Sequence, residues 1–204
     1  ASALIPPPRP GERVLDAAAA PGGKSFAMLA WEPLIAPVLA DLDARRVAVL
    51  GANLRRLGRR LPVTVADAAR LPFGDRFDRV VVDLPCTGTG TFRKHPELKW
   101  RVSEDELGRL AEQGARLLSG AAHAVAPGGL LVAITCSLEP EENETVVAAF
   151  RTDRGDFAPL DLEGRLPPPL DASITGPGHW QVLPDGHHDG FTVSVLVRGG
   201  SAKS

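Results

Sequence analysis

Arg13-Val14-Leu15-Asp16-Ala17-Ala18-Ala19-Ala20-Pro21-Gly22-Gly23-Lys24-Ser25 is the stretch from which the fold can be read. Arg13–Asp16 predicts a short strand, and a helix opens at Gly23 and runs to Leu29, so a glycine-rich loop joins strand to helix. Strand and helix then alternate along the chain. Leu34–Asp41 is the next strand, interrupted by Pro37. Ala44–Leu57 sets Val47, Leu50, Leu54 and Leu57 at helical spacing, and Gly58 is placed to end that helix. Val63–Val65 and Phe77–Asp83 are strands, the second apolar on both faces as a buried parallel strand must be. Ser103 and Glu106 form a capping-box signature for a long helix striped by Leu107, Leu110, Leu117, Leu118, Ala121 and Val125. Pro127-Gly128-Gly129 predicts a turn into a fifth strand. Glu141–Arg151 reads as a helix, Pro167-Pro168-Pro169 as a loop, Phe191–Arg198 as a final alternating strand and Gly199–Ser204 as a frayed tail. The order predicts a doubly wound, mostly parallel α/β sheet with helices on both faces.

A chain of 204 residues, 44% hydrophobic and 24% charged, can bury one good core, so a single domain over residues 1–204 is expected. No apolar run reaches the roughly 20 residues that span a bilayer, and Ala1–Pro10 lacks the form of a secretory leader. A cytoplasmic location and a monomer are expected. With 23 Lys+Arg against 25 Asp+Glu, net charge is −2, which excludes an autonomous, broadly basic nucleic-acid binder. Any such contact must be local. Arg55, Arg56, Arg59 and Arg60 close a helix, where they suit the macrodipole. Arg93-Lys94-His95 and Lys99-Trp100-Arg101 differ, since they combine cations with an aromatic, as phosphate contact and base stacking require; Trp100 as a core residue is the simpler alternative. His187-His188 lacks a cysteine or acid pair at ligand spacing and reads as a wet loop, and no metal site is expected.

Cys86 and Cys136 each follow an apolar strand: Val80-Val81-Val82-Asp83-Leu84-Pro85-Cys86 and Leu130-Leu131-Val132-Ala133-Ile134-Thr135-Cys136. Nothing else points to an oxidising compartment, so both read as thiols. In an open α/β sheet, reacting groups collect beyond the carboxyl ends of strands, and two thiols placed there can face one crevice. A small buried hydrophobe is the ordinary role of an isolated cysteine.

The loop from Ala18 onward is close to a phosphate-binding P-loop, with alanine where the first glycine should stand, which makes a nucleotide triphosphatase a rival reading. Against it, Pro21 has no N–H to give a phosphate, and Asp16 puts a carboxylate just ahead of the loop. Asp41 ends the second strand, where doubly wound folds bind ribose hydroxyls, while Asp43 is placed to cap the next helix. Asp67 ends the third strand and is suited to an adenine amine or to solvent. Glycines for close approach, an acid for ribose and no phosphate cradle together suggest S-adenosylmethionine.

Taken together, these segments resemble the methyltransferase domain of the Sun/Fmu (RsmB-like) family of RNA cytosine-5 methyltransferases. The resemblance runs through Asp16–Ser25, Asp83-Leu84-Pro85-Cys86-Thr87-Gly88-Thr89-Gly90, Arg93–Trp100, Thr135-Cys136-Ser137 with Glu141-Glu142-Asn143, and Asp189-Gly190-Phe191. It departs in Ala18 for a usual cysteine, Leu84 for alanine and Thr87 for serine. It implies a Rossmann-like class I methyltransferase sheet, with cofactor contacts at Ala18, Ala19, Ala20, Pro21, Gly22, Gly23, Lys24, Asp41, Asp67 and Asp83. It also implies a nucleophile at Cys136 and a second cysteine, Cys86, that assists release. Family members usually carry an N-terminal RNA-binding region, which is expected to be absent here. Small-subunit ribosomal RNA is the substrate implied.

The chemistry fits those residue types. Cytosine C5 is too weak a nucleophile to take a methyl group unaided; a thiolate added at C6 activates it. Asp83, protonated or sharing a proton, is placed to hydrogen-bond N3, with Lys24 orienting it. Arg93, His95 and Lys99 are candidates to hold the backbone of an unstacked RNA strand. A noncatalytic RNA-binding module is the third reading.

Overall fold

The computed structural model describes residues 6–74, 76–166 and 173–200. Its first half is β1 (Arg13–Asp16), α1 (Gly23–Trp31), β2 (Ala36–Asp41), α2 (Ala44–Arg56), β3 (Val63–Val65), β4 (Phe77–Asp83), α3 (Glu104–Ala122) and β5 (Val125–Thr135). These five strands are parallel, in the order β3-β2-β1-β4-β5. Beyond them lie α4 (Glu144–Asp153), β6 (Phe157–Pro159), β7 (Ile174–Gly176), β8 (His179–Val182) and β9 (Phe191–Arg198). β9 pairs antiparallel with β5, β8 and β7 follow it outward, and β6 pairs with β9 off the main path. The doubly wound α/β sheet is present, and it is mixed, because the last four strands all pair antiparallel.

Period-two alternation sends successive apolar side chains to opposite faces of the sheet. Leu15, Val80, Val82, Leu131 and Ala133 pack with Leu118 and Ala121 of α3 and Val146 and Phe150 of α4. Val14, Val81, Val132 and Ile134 face the other way, onto Met28 and Leu29 of α1 and onto Trp180. Leu50 and Leu54 of α2 cover Leu39 and the loop residues Ala19 and Ala20. Both faces are therefore dry, which is why β4 and β5 read as continuous apolar runs.

Several boundaries moved, each for a local reason. Pro37 lies inside β2, but β3 pairs only from Leu39 onward, so the proline sits where one edge of β2 is open. The expected turn Pro127-Gly128-Gly129 is a bulge within β5: Phe77 pairs with Val125, and pairing resumes at Arg79 with Leu130. Gly128 has φ +78, and a Cβ on Gly129 would lie about 3.0 Å from the carbonyl oxygens of Phe77 and Asp78. Ser103 caps α3 by accepting the Glu106 N–H, whereas the Glu106 carboxylate turns to Arg109, so only half of the capping box forms. The helix expected over Glu141–Arg151 is a 3-10 turn (Pro140–Glu142) followed by α4, broken at Asn143. The proline loop at 167–169 lies outside the described residues. Strand order reverses between β1 and β4, which places the crevice of this fold at their carboxyl ends.

Candidate active site at the carboxyl ends of β1, β4 and β5

The loop after β1 is tied down on both sides. Ala17 N–H reaches Val81 O at 2.8 Å and Ala19 N–H reaches Ala40 O at 2.8 Å, which fix it between β4 and β2. Arg46 and Asn53 of α2 donate to the carbonyls of Ala20 and Pro21. Gly22 adopts φ +117, and a Cβ there would overlap the Phe26 ring, so only glycine fits.

Three carboxylates surround this loop. Asp16 is buried and accepts from Ser25 Oγ at 2.6 Å; burial pushes it up to about 6, the hydroxyl opposing. Asp41, also buried, accepts from the N–H of Ala20 and of Asp43, joining the end of β2 to the loop. Asp83 pairs with the Lys24 ammonium through Oδ2, while its Oδ1 is sealed from solvent with no hydrogen-bond partner among the described residues. Burial raises the Asp83 pKa, and Lys24 acts in the opposite sense. Asp67 caps the turn Ala68–Arg70 with one oxygen. The set is wrong for a triphosphate, because the lysine is neutralised and acids line the approach. It suits a cationic ligand with hydroxyls, and the orphaned Oδ1 is an acceptor without a donor.

Cys86 and Cys136 come together as their positions after β4 and β5 require, with Sγ atoms 3.4 Å apart. Both are partly open to solvent rather than packed in hydrocarbon. The pair is asymmetric. Cys136 is lowered from its ordinary pKa by the hydrogen bond from Cys86, against burial and the nearby Asp83 charge. Cys86 is raised, first by that same bond and then by burial, so of the two thiols Cys136 is the one that gives up its proton more readily.

Two buried side chains hold the thiol loops. Glu142, 2% exposed, accepts the Thr87 N–H and the Thr87 hydroxyl, each at 2.8 Å, and so fixes the residue after Cys86. Asn143 accepts from Thr135 Oγ1 at 2.6 Å and donates to the carbonyls of Ser137 and Glu139, bracketing Cys136. Gly90 N–H donates to Cys136 O at 3.0 Å, and Gly190 N–H donates to Gly90 O at 2.7 Å. A Cβ on Gly90 would lie 2.5 Å from Gly190 O, so the two loops meet backbone to backbone. In the sequence these residues belong to the segments of family resemblance, and no local pattern gives them a role. A signal was present: acids and amides clustered just after a strand-end cysteine.

The basic segment lies beside the thiols. Arg93 and Lys94 both pair with Asp189. His95 stands next to Glu97, and Lys99 lies over the Phe92 ring, 5.9 Å from its centroid. Trp100 is 90% exposed, which corrects the core alternative. His187 and His188 sit in an exposed turn closed by Asp185. A cleft of about 700 Å³ lies at the other end of the sheet, where buried Arg79 is paired with Glu12. Among the described residues no helix is long and apolar enough to cross a membrane, and no His, Cys, Asp and Glu cluster is placed to hold a metal ion.

Comparison with known proteins gives consistent matches. The sequence model of the family described as "16S rRNA methyltransferase RsmB/F" matches residues 3–197. "Ribosomal RNA small subunit methyltransferase B" of Shewanella oneidensis is 36% identical over 201 residues, covering 97% of this chain and 45% of the relative. The protein of that name from Thermus thermophilus is 40% identical over 190 residues, covering 93% and 46%. The chain thus spans less than half the length of these curated relatives. The crystal structure of NSun6 from Pyrococcus horikoshii with SFG superposes with a TM-score of 0.79 at 25% identity, covering 98% of this chain and 51% of that one.

Proposed function

Because this chain belongs to the RsmB/F family of 16S rRNA methyltransferases, we propose that it methylates C5 of a cytosine in small-subunit ribosomal RNA, through a covalent bond between Cys136 Sγ and ring carbon C6. S-adenosylmethionine, when bound, supplies the methyl group as an electrophilic carbon. The SFG of the NSun6 structure, an analogue of that cofactor, supports the same ligand here. Ala18–Lys24 would pass beneath it, Asp41 would face the ribose, Asp67 the adenine and Asp83 the reacting end. The carboxylate lining and the neutralised Lys24 favour this ligand over ATP.

One observation carries the reading: two strand-end thiols 3.4 Å apart, Cys136 the more acidic and Cys86 the less, beside the half-buried Asp83 carboxyl, whose sealed Oδ1 has no partner among the described residues. Cys136 thiolate adds its electron pair to C6, and the displaced π electrons make C5 a carbon nucleophile. Asp83, protonated or sharing a proton with the paired Lys24, would hydrogen-bond N3 where negative charge accumulates; burial raises its proton affinity and Lys24 lowers it. Lys24 fixes the orientation of that carboxyl. After C5 has been alkylated and its proton lost to base, elimination breaks the Sγ–C6 bond and returns the pair to Cys136. The Cys86 thiol, 3.4 Å from that sulfur, would donate to the departing thiolate and stabilise it. Arg93, His95 and Lys99 would hold the RNA strand so that the unstacked base reaches the crevice.

The test is methyl transfer from labelled S-adenosylmethionine to small-subunit ribosomal RNA, with the product mapped as 5-methylcytosine. Wild type should form it, Cys136→Ala should not, and Cys86→Ala should stall as a covalent protein–RNA species. Methylation at a position other than C5, or undiminished turnover by Cys136→Ala, would refute the proposal.

A further inference from the structure

We propose that Trp100 is a stacking platform for an unpaired RNA base flanking the target cytosine, an assignment that rests on the RNA reading above. Trp180 is fully buried and Trp31 is 43% exposed at the end of α1, whereas the Trp100 indole stands 90% exposed. Exposure alone is common for an apolar residue; its setting is what assigns it a role.

Trp100 ends the 3-10 turn Pro96–Trp100, which is closed by hydrogen bonds from Leu98 N to His95 O at 3.1 Å and from Arg101 N to Leu98 O at 2.9 Å. That turn is seated against the thiol loop. A Cβ built on Gly88 would lie 3.2 Å from Leu98 Cδ1 and 3.8 Å from Cys136 Sγ, so one glycine separates the turn from the nucleophile. The indole is therefore held on an ordered element that abuts the reacting sulfur.

Its surroundings carry the charge that RNA requires. Arg93 to Arg101 contains four cations, Arg93, Lys94, Lys99 and Arg101, against one acid, Glu97, in a chain whose net charge is −2; Arg93 and Lys94 share Asp189, while Lys99 and Arg101, which flank the indole, form no ion pair among the described residues. Taking the target base out of its stack leaves the neighbouring base without one of its faces, and an exposed aromatic within reach of the same strand replaces that lost partner. Stacking on an indole tolerates any base, so Trp100 contributes affinity and placement rather than sequence choice.

The experiment measures binding of a fluorescein-labelled, single-stranded, cytosine-containing RNA to cofactor-saturated protein by anisotropy. Trp100→Ala should weaken Kd by about 5- to 100-fold, and Trp100→Phe should restore most of it. Abasic nucleotides introduced one at a time around the target should show one position at which wild type and Trp100→Ala bind alike. Cofactor affinity and sedimentation should not change. Equal RNA binding by Trp100→Ala, a deficit that no abasic position removes, or an altered oligomeric state that marks the indole as a protein contact would each overturn the assignment. Failure of wild type to bind any RNA would instead overturn the parent reading.

Discussion

Replacing Glu142 by alanine removes the acceptor of two short hydrogen bonds, from the N–H and the hydroxyl of Thr87. Thr87 is itself buried, at 7% exposure, so neither donor gains bulk water in exchange. A buried donor left without its partner costs about 1–3 kcal/mol, and two such losses are partly offset by release of a buried carboxylate. The expected destabilisation is about 2–4 kcal/mol by urea unfolding. Glu142→Gln keeps an acceptor for the N–H and should cost about 1 kcal/mol or less. The chemical consequence is separate from stability. Cys86 is the residue before Thr87, and its distance from Cys136 depends on that anchor; once it loosens, the bound RNA adduct should be released more slowly. Gel analysis under denaturing conditions should then show a larger covalent fraction for Glu142→Ala than for wild type at equal folded protein, with Glu142→Gln restoring it. A Glu142→Ala protein within about 0.5 kcal/mol of wild type, or one with an unchanged adduct fraction, would refute this reasoning.

Asp16 gives a pH prediction with a definite sign. Its folded pKa of about 6 lies above the ordinary 3.8, so the native state binds this proton more tightly than the unfolded chain does. Stability from this group is therefore full below pH 4 and declines as pH rises to 6, by up to about 3 kcal/mol. The stability difference between Asp16→Asn and wild type, measured by urea unfolding from pH 4 to 7, should rise through that window; a flat difference would contradict the burial. Cys86→Ala should raise the pKa of Cys136, because the donor that stabilises its thiolate is lost. Alkylation of Cys136 by iodoacetamide at pH 7 should then slow, and an unchanged rate would show that the thiols do not share a proton.

Much of the parallel half was legible in the sequence, since β1, β3 and β4 coincide with their apolar runs and α2 with its leucine spacing. The antiparallel half was less so. β6 and β7 have three residues each, Phe157-Ala158-Pro159 and Ile174-Thr175-Gly176, too short to show any period and containing residues that usually interrupt strands. β5 passes through Pro127-Gly128-Gly129 because a bulge opposite Asp78 absorbs the extra residues, which depends on a partner strand far back in the sequence, where Phe77 pairs with Val125 and the register then shifts to Arg79 with Leu130. In the site, the strand-end positions of Asp41, Asp83, Cys86 and Cys136 follow from element boundaries, and the pairing of Lys24 with Asp83 was foreseeable from chemistry. The anchoring by Glu142 and Asn143 was not, because it is made by contacts between separate loops after β4 and β5. Whether Trp100 was core or surface depended likewise on packing that no local pattern encodes.

The most direct measurement incubates the protein with S-adenosylmethionine and RNA carrying 5-fluorocytosine at the target, then identifies the modified peptide by mass spectrometry after denaturation. Fluorine at C5 blocks the loss that precedes elimination, so the account predicts a stable RNA nucleotide on Cys136, absent from Cys136→Ser. An adduct on Cys86 instead, or none with RNA and cofactor both bound, would contradict it.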